Sequence, residues 1–140
     1  MKWLKAKALL ARRLSASDWL SLLEAWWTLL VYSLALRWVS YDRLDHESEI
    51  GSHDLVLAES LHRLVLWASR LHLLPMTCLV RACTLRRMAT RRGVEARVCI
   101  GAAKTQDGIH AHAWVEVDGQ TVGEADGIEG RFSSLRSVCV

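Results

Sequence analysis

The chain lacks the marks of several common protein classes, and each absence narrows what it can do. None of its four cysteines (Cys78, Cys83, Cys99 and Cys139) stands in a CxxC pair, and no Cys and His tracts carry the layout of a zinc site. No structural metal and no cofactor are expected. There is no secretory signal, because the basic residues between Met1 and Arg13 are mixed through the apolar ones instead of preceding them. The even cysteine count is then little support for disulfides, and a reducing cytoplasm is the expected compartment. The longest apolar run, Ala25 to Leu36, has 12 residues. Crossing a bilayer takes roughly 20, so no membrane span is expected. Charge of one sign is scarce too, since 18 basic and 15 acidic residues leave a net +3, too little to imply nucleic acid. There is no GxxxxGK[ST] loop to bind a nucleotide, no internal repeat and no low-complexity tract.

What is present is apolar surface. At 140 residues the chain is the size of one domain with a single core, and 51% of it is hydrophobic, with 7 tryptophans. That is more apolar surface than one small core needs, so part of it is expected to face a partner.

Periodicity divides the chain into helices followed by strands. Leu4 to Leu14 reads as a basic helix, and Ser15 or Ser17, with Asp18 in the next turn, starts a second that runs to about Val39. Leu20, Leu23, Trp27, Leu30, Leu34 and Trp38 fall close to one stripe, and further apolar residues beside it predict a helix covered on most sides. Tyr41 to Ser52 is a polar connection. Asp54 to Leu73 gives a third helix, stopped by Pro75, and Thr77 starts a fourth that ends at Gly93. From Val94 the pattern alternates, Lys104 to Gly108 reads as a loop, and a second strand runs from Ala111 to Val117. Asp118-Gly119 then predicts a tight hairpin into a strand through Thr121 and Val122. Helices first and antiparallel strands last describe an α+β domain, with residues 1–53 as a helical arm and 54–140 as the core.

One residue pair carries chemistry. Cys78 falls in the first turn of a helix capped by Thr77, where unpaired backbone N–H groups and the helix dipole stabilise a thiolate. In a strand 34 residues later stands His112, and a thiol nucleophile needs such a base. His110, two residues earlier on the same face, would serve equally. Cys83 lies about 500° further around the helix, on another face, and is read as structural. His46, His53, His62 and His72 are read as surface or half-buried residues. Arg86, Arg87, Arg91 and Arg92 read as a solvated helix face, favourably placed near its C-terminus. Glu116 shares the face of His112 but sits roughly 13 Å away along the strand, too far to orient it.

The stretch from Pro75 to Glu124 resembles the transglutaminase-like cysteine proteases that remove leader peptides during lasso-peptide biosynthesis. The resemblance rests on Cys78-Leu79-Val80-Arg81 and on Ala111-His112-Ala113-Trp114-Val115-Glu116, joined by Arg91 to Gly101, and covers a little over a third of the chain. It implies a papain-like core with the cysteine at a helix N-terminus against a small antiparallel sheet. It also implies that His112 rather than His110 is the base. An aspartate follows the hairpin in that family, and the corresponding residue here is Glu124, with Asp126 as the alternative. Arg81, His110 and Trp114 are candidate substrate contacts. The implied partners are a precursor peptide, a separate leader-recognition protein, because no β-rich recognition module is evident here, and an ATP-dependent lasso cyclase. Two other functions fit the same residues: a transglutaminase or amidase using the same triad, and a non-catalytic helical module that docks a partner through Trp19, Trp26, Trp27 and Trp38.

Overall fold

The computed structural model describes residues 15–39, 51–123 and 136–139. The expected basic helix over 4–14 and most of the polar connection lie outside these residues. Three helices come first: α1 (Ala16–Ala35), α2 (Leu55–Leu71) and α3 (Cys78–Thr90). Four strands follow: β1 (Arg97–Thr105), β2 (Gly108–Val117), β3 (Gln120–Thr121) and β4 (Arg136–Cys139). They form one antiparallel sheet in the order β3-β2-β1-β4, so the domain is α+β as the patterning predicts.

Each helix start has a side chain that accepts an otherwise orphaned N–H. Ser15 and Asp18 exchange hydrogen bonds in a capping box at α1, and these bonds hold the Asp18 carboxyl below its ordinary range. Asp54 caps α2 and Thr77 caps α3. Two bounds differ from the pattern. α1 stops at Ala35, where the chain tightens into a turn with Trp38 N–H bonded to Ala35 O, and α3 stops at Thr90, one short turn before Gly93.

The helix expected to be covered on most sides is covered on one, and most of its apolar stripe faces out. Leu20, Leu23, Trp27, Leu34 and Trp38 are exposed, whereas Leu22, Ala25 and Leu29 are buried with Ser21, Thr28 and Ser33. Small residues win the inner face because α1 packs on both α2 and α3, and short side chains let helix axes approach. On α2 the inner face is Ala58, Leu61, Leu64, Val65 and Ala68, while Leu71 is exposed. The core continues through Leu85 and Met88 of α3 onto Val98, Val115 and Val117 of the sheet. Each such side chain contributes about 1.5–3 kcal/mol on full burial.

In the sheet, Lys104 and Thr105 belong to β1 and not to a loop, since Thr105 still pairs with Gly108. A ladder bonds backbone to backbone, so polar residues continue it where no burial is required. Ser52, expected as punctuation, makes an isolated parallel bridge to Val94. Asp118 and Gly119 both have positive φ, 52° and 72°, as a type I′ hairpin turn requires. β4 has no signal in the pattern, and only its pairing with β1 defines it. Cys99, on β1, is disulfide-bonded, contrary to the expectation drawn from the cysteine count, and Cys139 stands opposite it in the β1–β4 register.

Candidate active site

The site forms where β3 ends. That strand pairs with β2 only at Glu116 and Val117, and one further bond joins Val122 N–H to Val115 O. Among the described residues, the β2 edge nearer His112 has no strand neighbour on that side. An open pocket of about 330 Å³ occupies the place. Cys78, Arg81 and Ala82 of α3 form one wall, His112 to Val115 of β2 another, and His62, Val65 and Leu66 of α2 a third, with Val122 and Gly123 at the rim.

Cys78 is the first residue of α3 and half-buried. The Thr77 hydroxyl accepts the Val80 N–H, and the Thr77 carbonyl accepts that of Arg81. The N–H groups of Cys78 and Leu79 therefore lie outside the helix's own ladder, at the positive end of its dipole. Negative charge forming beside this helix end is favoured there. Cys83 has the opposite setting. It is 3% exposed, and burial pushes its thiol up to about 12, only partly offset by a hydrogen bond from its own backbone. One helix thus holds a thiol open to a pocket and a thiol kept protonated.

His112 borders the same pocket from β2. Its ring stacks on Trp114, with centroids 6.2 Å apart and planes 19° from parallel. Trp114 in turn donates Nε1–H to Glu116 Oε1 at 2.7 Å. At 2% exposure Trp114 touches the pocket with little of its area and acts mainly as a backing for the imidazole. Glu116 serves as the anchor of that backing. His110 is exposed, two residues nearer the β1–β2 hairpin, and is not part of the lining. Arg81 is half-buried within it.

Glu124 and Asp126, the candidates for the orienting acid, lie outside the described residues. The chain leading to them is held at Gly123, whose N–H donates to Glu59 Oε1 of α2 at 2.8 Å. Gly123 has φ +70°, and a Cβ there would collide with the His62 ring, so this position requires glycine on both counts. His62 is the pocket residue that reading the chain misses. Its one signal is helical phase, four residues after buried Ala58 and three before buried Val65.

Elsewhere Arg87 is exposed as expected, whereas the other three arginines read as solvated have partners. Arg86 Nε donates to Ala96 O, and Arg91 and Arg92 both reach Glu24 of α1, at 3.3 and 2.8 Å. Trp26 of α1 stacks on His72, 4.7 Å between centroids, so it is not among the exposed tryptophans. Trp19, Trp27 and Trp38 are exposed. No helix among the described residues is long and apolar enough to cross a membrane.

A family model described as the transglutaminase-like superfamily matches residues 19–137, which run from the first turn of α1 into β4. No curated protein and no solved structure matches the chain.

Proposed function

The chain belongs to the transglutaminase-like superfamily, whose members are typically cysteine proteases or acyltransferases, and on that premise we propose that it is a cysteine peptidase that removes the leader from a ribosomally made lasso-peptide precursor. The observation that carries the reading is the joint placement of Cys78 and His112 on one pocket, with Cys78 at a helix N-terminus and Cys83, the other thiol that is free among the described residues, buried.

In this mechanism the Cys78 thiolate attacks the carbonyl carbon at the leader–core junction, forming a C–S bond and a tetrahedral oxyanion. The Cys78 backbone N–H donates to that oxyanion. His112 carries the thiol proton to the departing amine as the C–N bond breaks, leaving the leader as a thioester. Water, deprotonated by His112, then releases the leader acid and returns the thiol. Glu124 accepts a hydrogen bond from the imidazole and fixes its tautomer; Asp126 is the alternative. Substrate reaches the site with a separate leader-binding protein, docked on the exposed tryptophans of α1, and an ATP-dependent cyclase takes the freed core.

Incubation of the chain with a precursor and its leader-binding protein, followed by mass spectrometry, tests the reading. Wild type should release an intact leader and core. Cys78→Ala and His112→Ala should each lose about 10³-fold or more in rate with helical circular dichroism unchanged, whereas His110→Ala should stay near wild type. Full cleavage by Cys78→Ala would sink the proposal.

A further inference from the structure

Arg81 is out of place on electrostatic grounds. It sits in the second turn of α3, near the positive end of the helix dipole, and the first turn of α3 has no acidic residue. Arg81 is half-buried in the pocket wall, and among the described residues its guanidinium has no hydrogen-bond or ion-pair partner. Every other titratable group in the described lining, His62, Cys78 and His112, is cationic when protonated or becomes an anion only at the attacking sulfur; none is a carboxylate. A half-buried cation with unused donors, in a lining whose described residues include no carboxylate, is poised for a ligand anion.

Resting on the peptidase reading of this site, we propose that Arg81, with His62 on the facing wall, forms a subsite for an acidic side chain of the peptide substrate, one or two residues from the scissile bond on its acyl side. Three residues along a helix put the Arg81 and Cys78 β-carbons about 5–6 Å apart. The guanidinium therefore reaches only groups close to the reacting carbonyl. The acyl portion is the part that stays bound to Cys78 through both steps, so its side chain occupies the pocket that Cys78 borders. At about 330 Å³ the space suits side chains and not a folded partner. Val65 and Leu66 line the stem of such a side chain while the charged end meets the guanidinium as a bidentate pair.

Arginine one turn from a thiolate has a second physical use, to stabilise the thiolate itself, and the experiment separates the two. The full chain is treated with peptidyl acyloxymethyl ketones carrying Glu, Gln or Lys at the first or second residue before the ketone. Attack by Cys78 forms a thioether as the acyloxy group leaves as a carboxylate, and the mass gained at Cys78 gives the rate. The Glu probe should react about tenfold or more faster than its Gln isostere at one of the two positions. Arg81→Gln should bring that ratio close to one and Arg81→Lys to an intermediate value, with the iodoacetamide rate of Cys78 unchanged in both. A wild-type ratio near one at both positions would overturn the subsite while leaving the peptidase standing. So would an iodoacetamide rate that falls in Arg81→Gln by the same factor as the Glu probe, since that marks thiolate stabilisation. Failure of every probe to label Cys78 selectively would overturn the peptidase reading and the subsite with it.

Discussion

At the C-terminal end of α3, Arg91 and Arg92 converge on Glu24 of α1, and Arg92 also donates to Met88 O and Ser21 Oγ. At the N-terminal end, Arg81 has no such partner among the described residues, and the thiol beside it opens to a pocket. One end of the helix has its polar groups satisfied within the chain and ties the helices together. The other leaves donors unspent where a substrate would supply the acceptors. Unspent hydrogen-bonding capacity costs stability, and it is retained where a ligand returns it.

The two ends of α3 differ most in Cys78 and Cys83, the cysteines that are free among the described residues. Iodoacetamide should label Cys78 readily at pH 7–8 and leave Cys83 unmodified while the fold persists. Because the Cys83 thiol is pushed up to about 12 from an ordinary value of 9.0, the folded state holds its proton more tightly than the unfolded state over that interval. Its contribution to stability is thus fully present below pH 9 and is lost as pH rises toward 12. Thermal melts should fall more steeply across that window in wild type than in Cys83→Ala. Equal labelling of both thiols at neutral pH would erase the distinction.

A smaller effect tests the satisfied end. Glu24→Ala leaves the half-buried Arg92 without its carboxylate and should cost about 1–2 kcal/mol in urea unfolding, whereas Arg81→Ala should change stability by less than about 0.5 kcal/mol because its side chain has no bonded partner among the described residues. A matching loss in Arg81→Ala would mean that the two ends are built alike. Thr77→Ala removes the cap of α3 and should cost about 1 kcal/mol, together with a modestly slower reaction of Cys78 as the first turn frays. An unchanged rate would detach the cap from the chemistry.

Much of the fold was legible because the signals are local. Ser15, Asp54 and Thr77 are the caps that the pattern placed or closely bracketed, Pro75 separates α2 from α3, and Asp118-Gly119 turns the hairpin. The readings that failed depend on what lies across a contact. α1 is apolar on more than one face, so composition does not tell which face is inner; packing against two helices selected Ala25 and its small neighbours and left Trp27 and Trp38 outside. β4 is four residues long and exists through its ladder to β1. His62 belongs to the pocket because α2 crosses near Gly123, a meeting of residues 61 positions apart.

The helix-then-strand order, the cap that puts Cys78 at the start of a helix, and the strand that carries His112 are written in the residues themselves, since each follows from short-range backbone preference and side-chain periodicity. Packing in three dimensions set the rest: both residues border one pocket, Cys83 is silenced, Arg91 and Arg92 are occupied while Arg81 has no side-chain partner among the described residues, and Gly123 lies between Glu59 and the His62 ring. Burial, desolvation and charge pairing are properties of neighbours distant along the chain, and no local pattern of residues encodes which neighbours those will be.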